Sequence, residues 1–346
     1  MLLKKKRESM KHIRIYSLIV TVFFLGASPY DVKKNIIERV NAIDQFKKQQ
    51  VEKNKKILAH ELVKLEQKLN PTCLWNRLRR VQPKTEKLIY IIVLGNNNHD
   101  NNNNNNYGYK KNLDSIMTQD YSNFHVLYVL DSSRNSSHDT ITQYVQEKKW
   151  ADKITFIYNP HNTRHVYNLE NIYNVIQNLP DHAIVTYCDS SDWYDNQNFL
   201  TLINKIYDDK NIWVTYGSFV NWPTRKIELC KKIPKTIVAK RSFRTYRSIV
   251  GKPQTFYAWL FKLIKKEDLT YKNDFFKACE ERAIINPLLE MAGHRLQFIP
   301  DTLYVYNNEA RRKNITKTQD LEKFYSNIII QQKKYDFLKE PKITIN

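Results

Sequence analysis

Glycine and cysteine are scarce in this chain of 346 residues, which contains six glycines and four cysteines. No stretch matches GxGxxG or GxxxxGK[ST], so the two commonest glycine-rich phosphate cradles are absent. The cysteines (Cys73, Cys188, Cys230 and Cys279) are widely spaced and form no CxxC pair. This spacing fits no zinc site and indicates no disulfide framework. It favours isolated core thiols, although one or two disulfides are also compatible with it.

Acidic residues are outnumbered, with 35 Asp and Glu against 56 Lys and Arg, giving a net charge of +21. Such a charge favours anionic partners: nucleic acid, an anionic membrane surface or a phosphorylated substrate. The charge is diffuse and no nucleic-acid-binding motif is present. We therefore expect no specific nucleic-acid partner, and a basic nucleic-acid-binding protein is kept only as an alternative.

A long hydrophobic run is also missing, since the apolar segment at residues 15–27 is shorter than the ~20 residues of a membrane-spanning helix. Basic residues precede it, and its length is typical of a signal-peptide core. Residues 1–30 are therefore predicted to be a signal peptide or a signal anchor that contacts the membrane, with a soluble helix as the alternative. We expect a membrane-anchored protein or one in the secretory-pathway lumen; a cytoplasmic location is the alternative.

The rest of the chain divides by composition. Residues 31–70 contain neither glycine nor proline and space their apolar positions as a helix does, so residues 31–82 are predicted to be a helical stalk or linker. Residues 83–310 are predicted to be the folded domain. It is interrupted by an asparagine-rich, low-complexity insertion at residues 96–106. Residues 311–346 are predicted to form a C-terminal helical extension.

Apolar, β-branched segments alternate with helical segments in the first half of the domain. The predicted strands are residues 87–94, 124–130, 154–158 and 183–188, and the predicted helices are residues 109–119, 139–149 and 167–178. This alternation predicts an α/β fold with a mainly parallel sheet. Further on we expect a strand at 213–217, helices at 255–264 and 273–292, strands at 296–299 and 303–306, and a helix at 318–338.

The fourth predicted strand ends in Asp189-Ser190-Ser191-Asp192-Trp193. Ligand chemistry gathers at the carboxyl ends of strands in parallel sheets. Carboxylates placed there can hold a hard cation, and that cation can neutralise a diphosphate. The plain alternative is an Asp-rich turn.

Five blocks, in order, resemble the family 2 glycosyltransferases. The first block is residues 112–121, and the second is residues 129–133 with Asp139-Thr140, similar to "DD-x-S-x-D-x-T". The third is residues 189–193, similar to "D-x-D-D-W". The fourth is Glu280-Glu281 followed by Gly293, similar to "E-D", and the fifth is residues 298–307. The resemblance implies a GT-A (nucleotide-diphospho-sugar transferase) fold. It also implies transfer of a sugar from a nucleotide-diphosphate donor to an acceptor hydroxyl, usually with inversion.

The resemblance implies roles for the residues at the donor site. Asp131 and Ser133 would bind the nucleotide, and Asp189 and Ser191 the nucleotide sugar. Asp189 and Asp192 would hold a divalent metal, Mn²⁺ or Mg²⁺. The expected partners are a UDP- or GDP-linked sugar and a glycan, protein or lipid acceptor.

An attacking sugar hydroxyl needs a positioned base, and Glu281 occupies the place of the family's catalytic base. Glu280 lies beside it, where a neighbouring carboxylate can raise a pKa. Glu290 is a rival, although on one continuous helix it would lie on the opposite face from Glu281. A solvated glutamate pair is the plain alternative. Lys252 precedes an apolar run and either packs in the core or faces the diphosphate or acceptor.

The chain also departs from the family's pattern. Ser191 replaces the middle metal-binding aspartate, Leu130 replaces the first aspartate of the "DD" pair, and the base position holds a glutamate where aspartate is commoner. These changes raise a second hypothesis, a catalytically weakened GT-A domain that binds a sugar or a partner without turnover.

Overall fold

The computed structural model describes residues 85–95, 108–131, 136–159, 168–228, 230–246, 251–311 and 315–343, together with Asn41, Gln45, Gln49 and Leu78, which are helical. The predicted N-terminal segment and the asparagine-rich insertion lie outside these residues, as does most of the predicted stalk. Within the described ranges, no helix is both long and apolar enough to span a membrane.

The fold is a layered α/β domain built on one large sheet. The strands are β1 (Ile89–Leu94), β2 (Phe124–Asp131), β3 (Ile154–Asn159), β4 (Ile184–Asp189), β5 (Trp193–Tyr194), β6 (Val214–Trp222), β7 (Ile227–Glu228), β8 (Gly251–Tyr257) and β11 (Leu296–Asn307), with β9 (Thr270–Tyr271) and β10 (Asp274–Phe275) forming a separate hairpin. The helices are α1 (Gly108–Met117), α2 (Ser136–Glu147), α3 (Asn168–Gln177), α4 (Phe199–Ile206), α5 (Lys235–Ala239), α6 (Ala258–Lys262), α7 (Glu280–Ala292), α8 (Asn308–Arg311) and α9 (Ile315–Gln331). A 3₁₀ turn spans Lys266–Leu269.

Alternate residues of each central strand point to opposite faces of the sheet, so the strands supply two hydrophobic layers. In β1, Ile89, Ile91 and Val93 pack in one layer, and Ile92 and Leu94 pack in the other. The first layer is covered by α1, α2 and α4, and the second by α3, α6, α7 and α9. Both faces are thus buried, which explains the near-continuous apolar runs of β1 and β4.

The strands of the sheet run in the order β3-β2-β1-β4-β8-β6-β11-β5, with β7 beside β6. The first four strands of this order are parallel to one another. However, β8 lies antiparallel between β4 and β6, and β5 is antiparallel to β11. The sheet is therefore mixed, and the prediction of a mainly parallel sheet was wrong. Strand alternation along the sequence predicts the parallel half only, because β8 arrives from a long excursion without a crossover helix of its own.

Three element boundaries also differ from prediction. Residues 255–264, predicted as one helix, are the end of β8 followed by the short α6, since Thr255-Phe256-Tyr257 favours extended backbone. Helix α7 begins at Glu280, not at residue 273, because a hairpin strand occupies Asp274–Phe275. The two strands expected around Pro300 are one strand, β11, whose pairing with β6 shifts register on either side of Thr302.

Gly251 lies at a close contact between β8 and the strand beside it. A Cβ atom there would stand 2.1 Å from Cys230 Sγ and 2.5 Å from the Gly217 carbonyl oxygen, too close for either to stay in place. We expect Gly251→Ala to lower the free energy of unfolding by about 1–3 kcal/mol, the usual cost of overpacking. Guanidinium unfolding followed by circular dichroism measures this loss.

Gly108→Ala is the matched control, since its added Cβ would meet only Ser191 Cα, at an ordinary 3.7 Å. Equal unfolding midpoints for the two variants would contradict the packing of Gly251.

Candidate functional site

The candidate site is built on residues 189–192, here called the acidic loop, at the carboxyl end of β4. In the parallel pairing of β1 and β4, Asp189 lies opposite Leu94. The Ser190 amide donates to the Leu94 carbonyl over 3.0 Å. The loop therefore starts where two central parallel strands end together, the position in which α/β sheets bind ligands.

From one side, the acidic loop is held by Asn112 of α1. Asn112 is fully buried, and its Nδ2 donates to the carbonyl oxygens of Asp189 over 3.2 Å and Asp192 over 2.7 Å. A buried amide that bonds both ends of a short loop fixes its backbone, because breaking either bond leaves a buried polar group unsatisfied.

From the other side, the acidic loop is held by β11 through the carboxylate of Asp192. This residue has no solvent exposure. Its Oδ2 accepts from the Tyr304 hydroxyl over 2.6 Å, and its Oδ1 accepts from the Asn307 amide over 2.9 Å. Asn307 Nδ2 also donates to the Ser191 carbonyl over 3.1 Å. Both carboxylate oxygens of Asp192 are thus used to join the loop to β11.

A buried lysine of β8 faces the acidic loop. The antiparallel pairing of β4 and β8 ends at Thr186 opposite Thr255. Lys252 lies beyond that pairing, three residues before Thr255, where the register of β8 against β6 shifts. Lys252 is 6% exposed, and its Nζ lies 2.8 Å from Glu281 Oε1. The same Nζ is 5.4 Å from the centre of the Tyr304 ring.

The electrostatics of Lys252 show which groups surround it. Burial lowers the pKa of Lys252, but the negative charges of Glu281, Asp189 and Asp192 outweigh burial and hold that pKa well above its usual range. The side chain is therefore a permanent ammonium ion, and three carboxylates compensate its desolvation.

Two glutamates at the start of α7 lie near Lys252. Glu281 ion-pairs with Lys252 while 45% of its side chain stays exposed. Glu280 is partly buried. Its pKa is raised, first by burial and then by the charges of Glu281 and Asp189. Acidic side chains in the first turn also suit the positive end of the helix dipole.

Of the residues predicted from sequence, the structure brings together Asp189, Ser191, Asp192, Glu280 and Glu281. Asp131 is the last residue of β2, but its side chain and all of Ser133 lie outside the described residues. The roles assigned to these residues stay predictions.

Sequence reasoning left Lys252 between two interpretations and gave no role to Asn112, Tyr304 or Asn307. All three lie in blocks that resemble the family, yet nothing local marks them as supports of a loop 77 to 116 residues away.

The expected metal ligands do not form a metal site. Across the described ranges, no three His, Cys, Asp or Glu side chains converge as metal ligands. Ser191 offers a hydroxyl where the family places a carboxylate, and both oxygens of Asp192 already accept hydrogen bonds. Divalent Mg²⁺ or Mn²⁺ favours carboxylate ligands. The residues present therefore do not fit a metal held jointly by Asp189 and Asp192.

The layered α/β sheet, with an acidic loop at a strand end and two glutamates at a helix start facing it, agrees with the GT-A fold that the motifs imply. The sequence model of the family described as Glycosyl transferase family 2 matches residues 109–270. The family predicted from the motifs is thus confirmed over these residues.

Solved structures of other transferases are similar in shape. The chain covers 70% of residues 1–349 of TarS from S. aureus in complex with UDP, with 70% of this chain aligned, 15% identity and a TM-score of 0.45. It covers 75% of the mannosyltransferase PcManGT from Pyrobaculum calidifontis in complex with GDP-Man and Mn²⁺, with 83% of this chain aligned, 15% identity and a TM-score of 0.45. It covers 43% of GalNAc-T7 with UDP, GalNAc and Mn²⁺, with 64% of this chain aligned, 13% identity and a TM-score of 0.42. No curated protein sequence matches the chain.

Glu290, the rival for the role of base, has a different environment. Helix α7 is continuous through Pro287, and Glu290 on it is fully buried. Its Oε1 lies 2.8 Å from Arg244 Nε, and its Oε2 accepts from the Tyr335 amide over 3.0 Å. Arg244 also donates to the Ile329 carbonyl of α9 over 2.7 Å. Glu290 therefore anchors the C-terminal segment and cannot meet a substrate.

We expect Glu290→Gln to lower the free energy of unfolding by about 3–5 kcal/mol, because it leaves the buried charge of Arg244 uncompensated. Chemical unfolding measures the loss. Glu281→Gln should cost less, because the charges of Asp189 and Asp192 still offset the burial of its partner Lys252. A Glu290→Gln protein as stable as Glu281→Gln would show that the Arg244 pair does not hold the C-terminal segment.

Proposed function

We propose that the chain is an active inverting glycosyltransferase, which moves a sugar from a UDP- or GDP-linked donor to an acceptor hydroxyl with Glu281 as base. The observation that carries the proposal is the Glu281–Lys252 ion pair of 2.8 Å. It lies within electrostatic reach of Asp189 at the end of β4, in a chain whose residues 109–270 match the model of glycosyl transferase family 2.

In the proposed reaction, the acceptor hydroxyl approaches Glu281 from solvent, which the 45% exposure of that side chain permits. Glu281 takes the hydroxyl proton as the acceptor oxygen attacks the anomeric carbon. The bond from that carbon to the diphosphate oxygen breaks, and the nucleoside diphosphate leaves with the bonding electrons. A single attack from the face opposite the leaving group inverts the anomeric centre.

Preorganisation supports this arrangement. The ion pair with Lys252 holds the Glu281 carboxylate at the site before the donor arrives, and the acidic loop is fixed by Asn112 and by Asp192. Holding a base and its reaction partner in place removes much of the entropic barrier of a bimolecular step. No step of this reaction uses the predicted Mn²⁺ or Mg²⁺. Ser191 and Asp192, whose two oxygens accept hydrogen bonds from β11, do not fit such a metal.

The second hypothesis, a GT-A domain that binds without turnover, is favoured by one observation, the hydroxyl of Ser191 at the family's metal-binding position. The two hypotheses share donor binding and differ in turnover, so they are separated by measuring both quantities on the same protein.

We expect Glu281→Gln to lower turnover by about 10²–10⁴-fold, the usual contribution of a general base. The affinity for UDP or GDP should be retained, because an amide keeps the size of the side chain. Turnover is followed as release of UDP or GDP from a panel of UDP- and GDP-sugars, and affinity by isothermal titration calorimetry.

Glu267→Gln changes an exposed glutamate outside the site and is the matched control. Unchanged turnover in Glu281→Gln would refute the base assignment. Wild-type protein that binds a nucleotide without any turnover would establish the second hypothesis.

A further inference from the structure

Lys252 is a buried charged residue that the proposed chemistry uses only to orient Glu281. Resting on the proposed function, we propose that the Lys252 ammonium is itself the cation that binds the donor's diphosphate, in place of the divalent metal that the family resemblance implies. The same side chain then belongs to donor binding as well as to the base.

The placement of Lys252 suits this role. It projects from β8 beside the carboxyl end of β4, and its Nζ lies 5.7 Å from the centre of the Tyr187 ring and 5.4 Å from that of Tyr304. The Tyr304 hydroxyl donates to Asp192, so the ammonium lies beside one of the residues that hold the acidic loop in place. A lysine ammonium carries three N–H donors, and Glu281 takes one of them.

The metal-binding alternative is weaker on the same residues. Ser191 supplies no negative charge, and Asp192 is fully buried with both oxygens hydrogen-bonded to β11. That leaves Asp189 as the loop's remaining carboxylate for a cation. The carboxylates whose charges raise the pKa of Lys252 include Asp189. The acidic loop therefore already stabilises one cation, the Lys252 ammonium.

Donor binding and base activation are then coupled. A diphosphate that approaches Lys252 competes with Glu281 for the ammonium, since both offer anionic oxygens to the same donors. When a phosphate oxygen takes the place of Glu281 Oε1, the base is released toward the acceptor. This order, donor first and acceptor second, avoids an unpaired buried ammonium at every stage.

The test is isothermal titration of the full chain with UDP, GDP and inorganic pyrophosphate, in EDTA and in Mn²⁺. We expect wild-type affinities that are the same in both conditions. Lys252→Met should weaken them by about tenfold or more, as expected for a lost charge-assisted hydrogen bond. Lys252→Arg should retain most of the affinity. Lys262→Met is the matched control, because Lys262 forms a similar pair with Asp181, over 2.6 Å, outside the acidic loop.

Manganese binding gives a second measurement. Once the Lys252 ammonium is removed, the carboxylates around it should bind a cation better. Lys252→Met should therefore bind Mn²⁺ more tightly than wild type in electron paramagnetic resonance titrations. If Lys252→Met does not fold, Glu281→Gln replaces it, with nucleotide affinity in EDTA expected to equal or exceed that of wild type.

The outcomes separate this inference from the proposed function. Nucleotide binding by wild type only when Mn²⁺ is present would overturn the role of Lys252 and leave the glycosyltransferase proposal standing. Wild-type affinity in Lys252→Met, or a tenfold loss in Glu281→Gln, would also overturn it. Absence of UDP and GDP binding in both conditions would overturn the proposed function itself.

Discussion

The buried carboxylate of Asp192 is the constraint on which the site depends. A charged group without solvent exposure is tolerated only when its oxygens are hydrogen-bonded, and Tyr304 and Asn307 of β11 meet that requirement. Because these donors come from the opposite half of the sheet, the bonds join β11 to the end of β4. The acidic loop is thereby rigid, and Asp189 projects from a fixed point.

Around that loop, charge is arranged so that one buried ammonium is shared by several carboxylates. Lys252 comes from β8, Asp189 from β4 and Glu281 from α7, and each charge offsets the desolvation of the others. Such a cluster is costly to bury and contributes little net stability. In the proposed function, its value lies in a cation and a base held ready at the edge of the sheet.

Two glutamates of one helix illustrate how environment assigns function. Glu281 and Glu290 both lie on α7 and both pair with a basic side chain over 2.8 Å. Glu281 keeps contact with solvent, as the proposed base must. Glu290 is enclosed with Arg244 and ties α7 to the C-terminal segment. Residue type and helix are shared, so burial is what distinguishes the proposed base from the structural glutamate.

The sequence by itself indicated the family and the first four strands along the chain, and it singled out Glu280-Glu281, although not as the start of α7. Hydrophobic periodicity and short motifs are local properties, and they survive without knowledge of the fold. The antiparallel insertion of β8 was decided only in the tertiary structure, because strand direction depends on where the chain returns to the sheet. The same holds for the partners of Asp192 and for the burial of Lys252 among carboxylates. These depend on contacts between residues 29 to 115 positions apart, whose pairing no local pattern records.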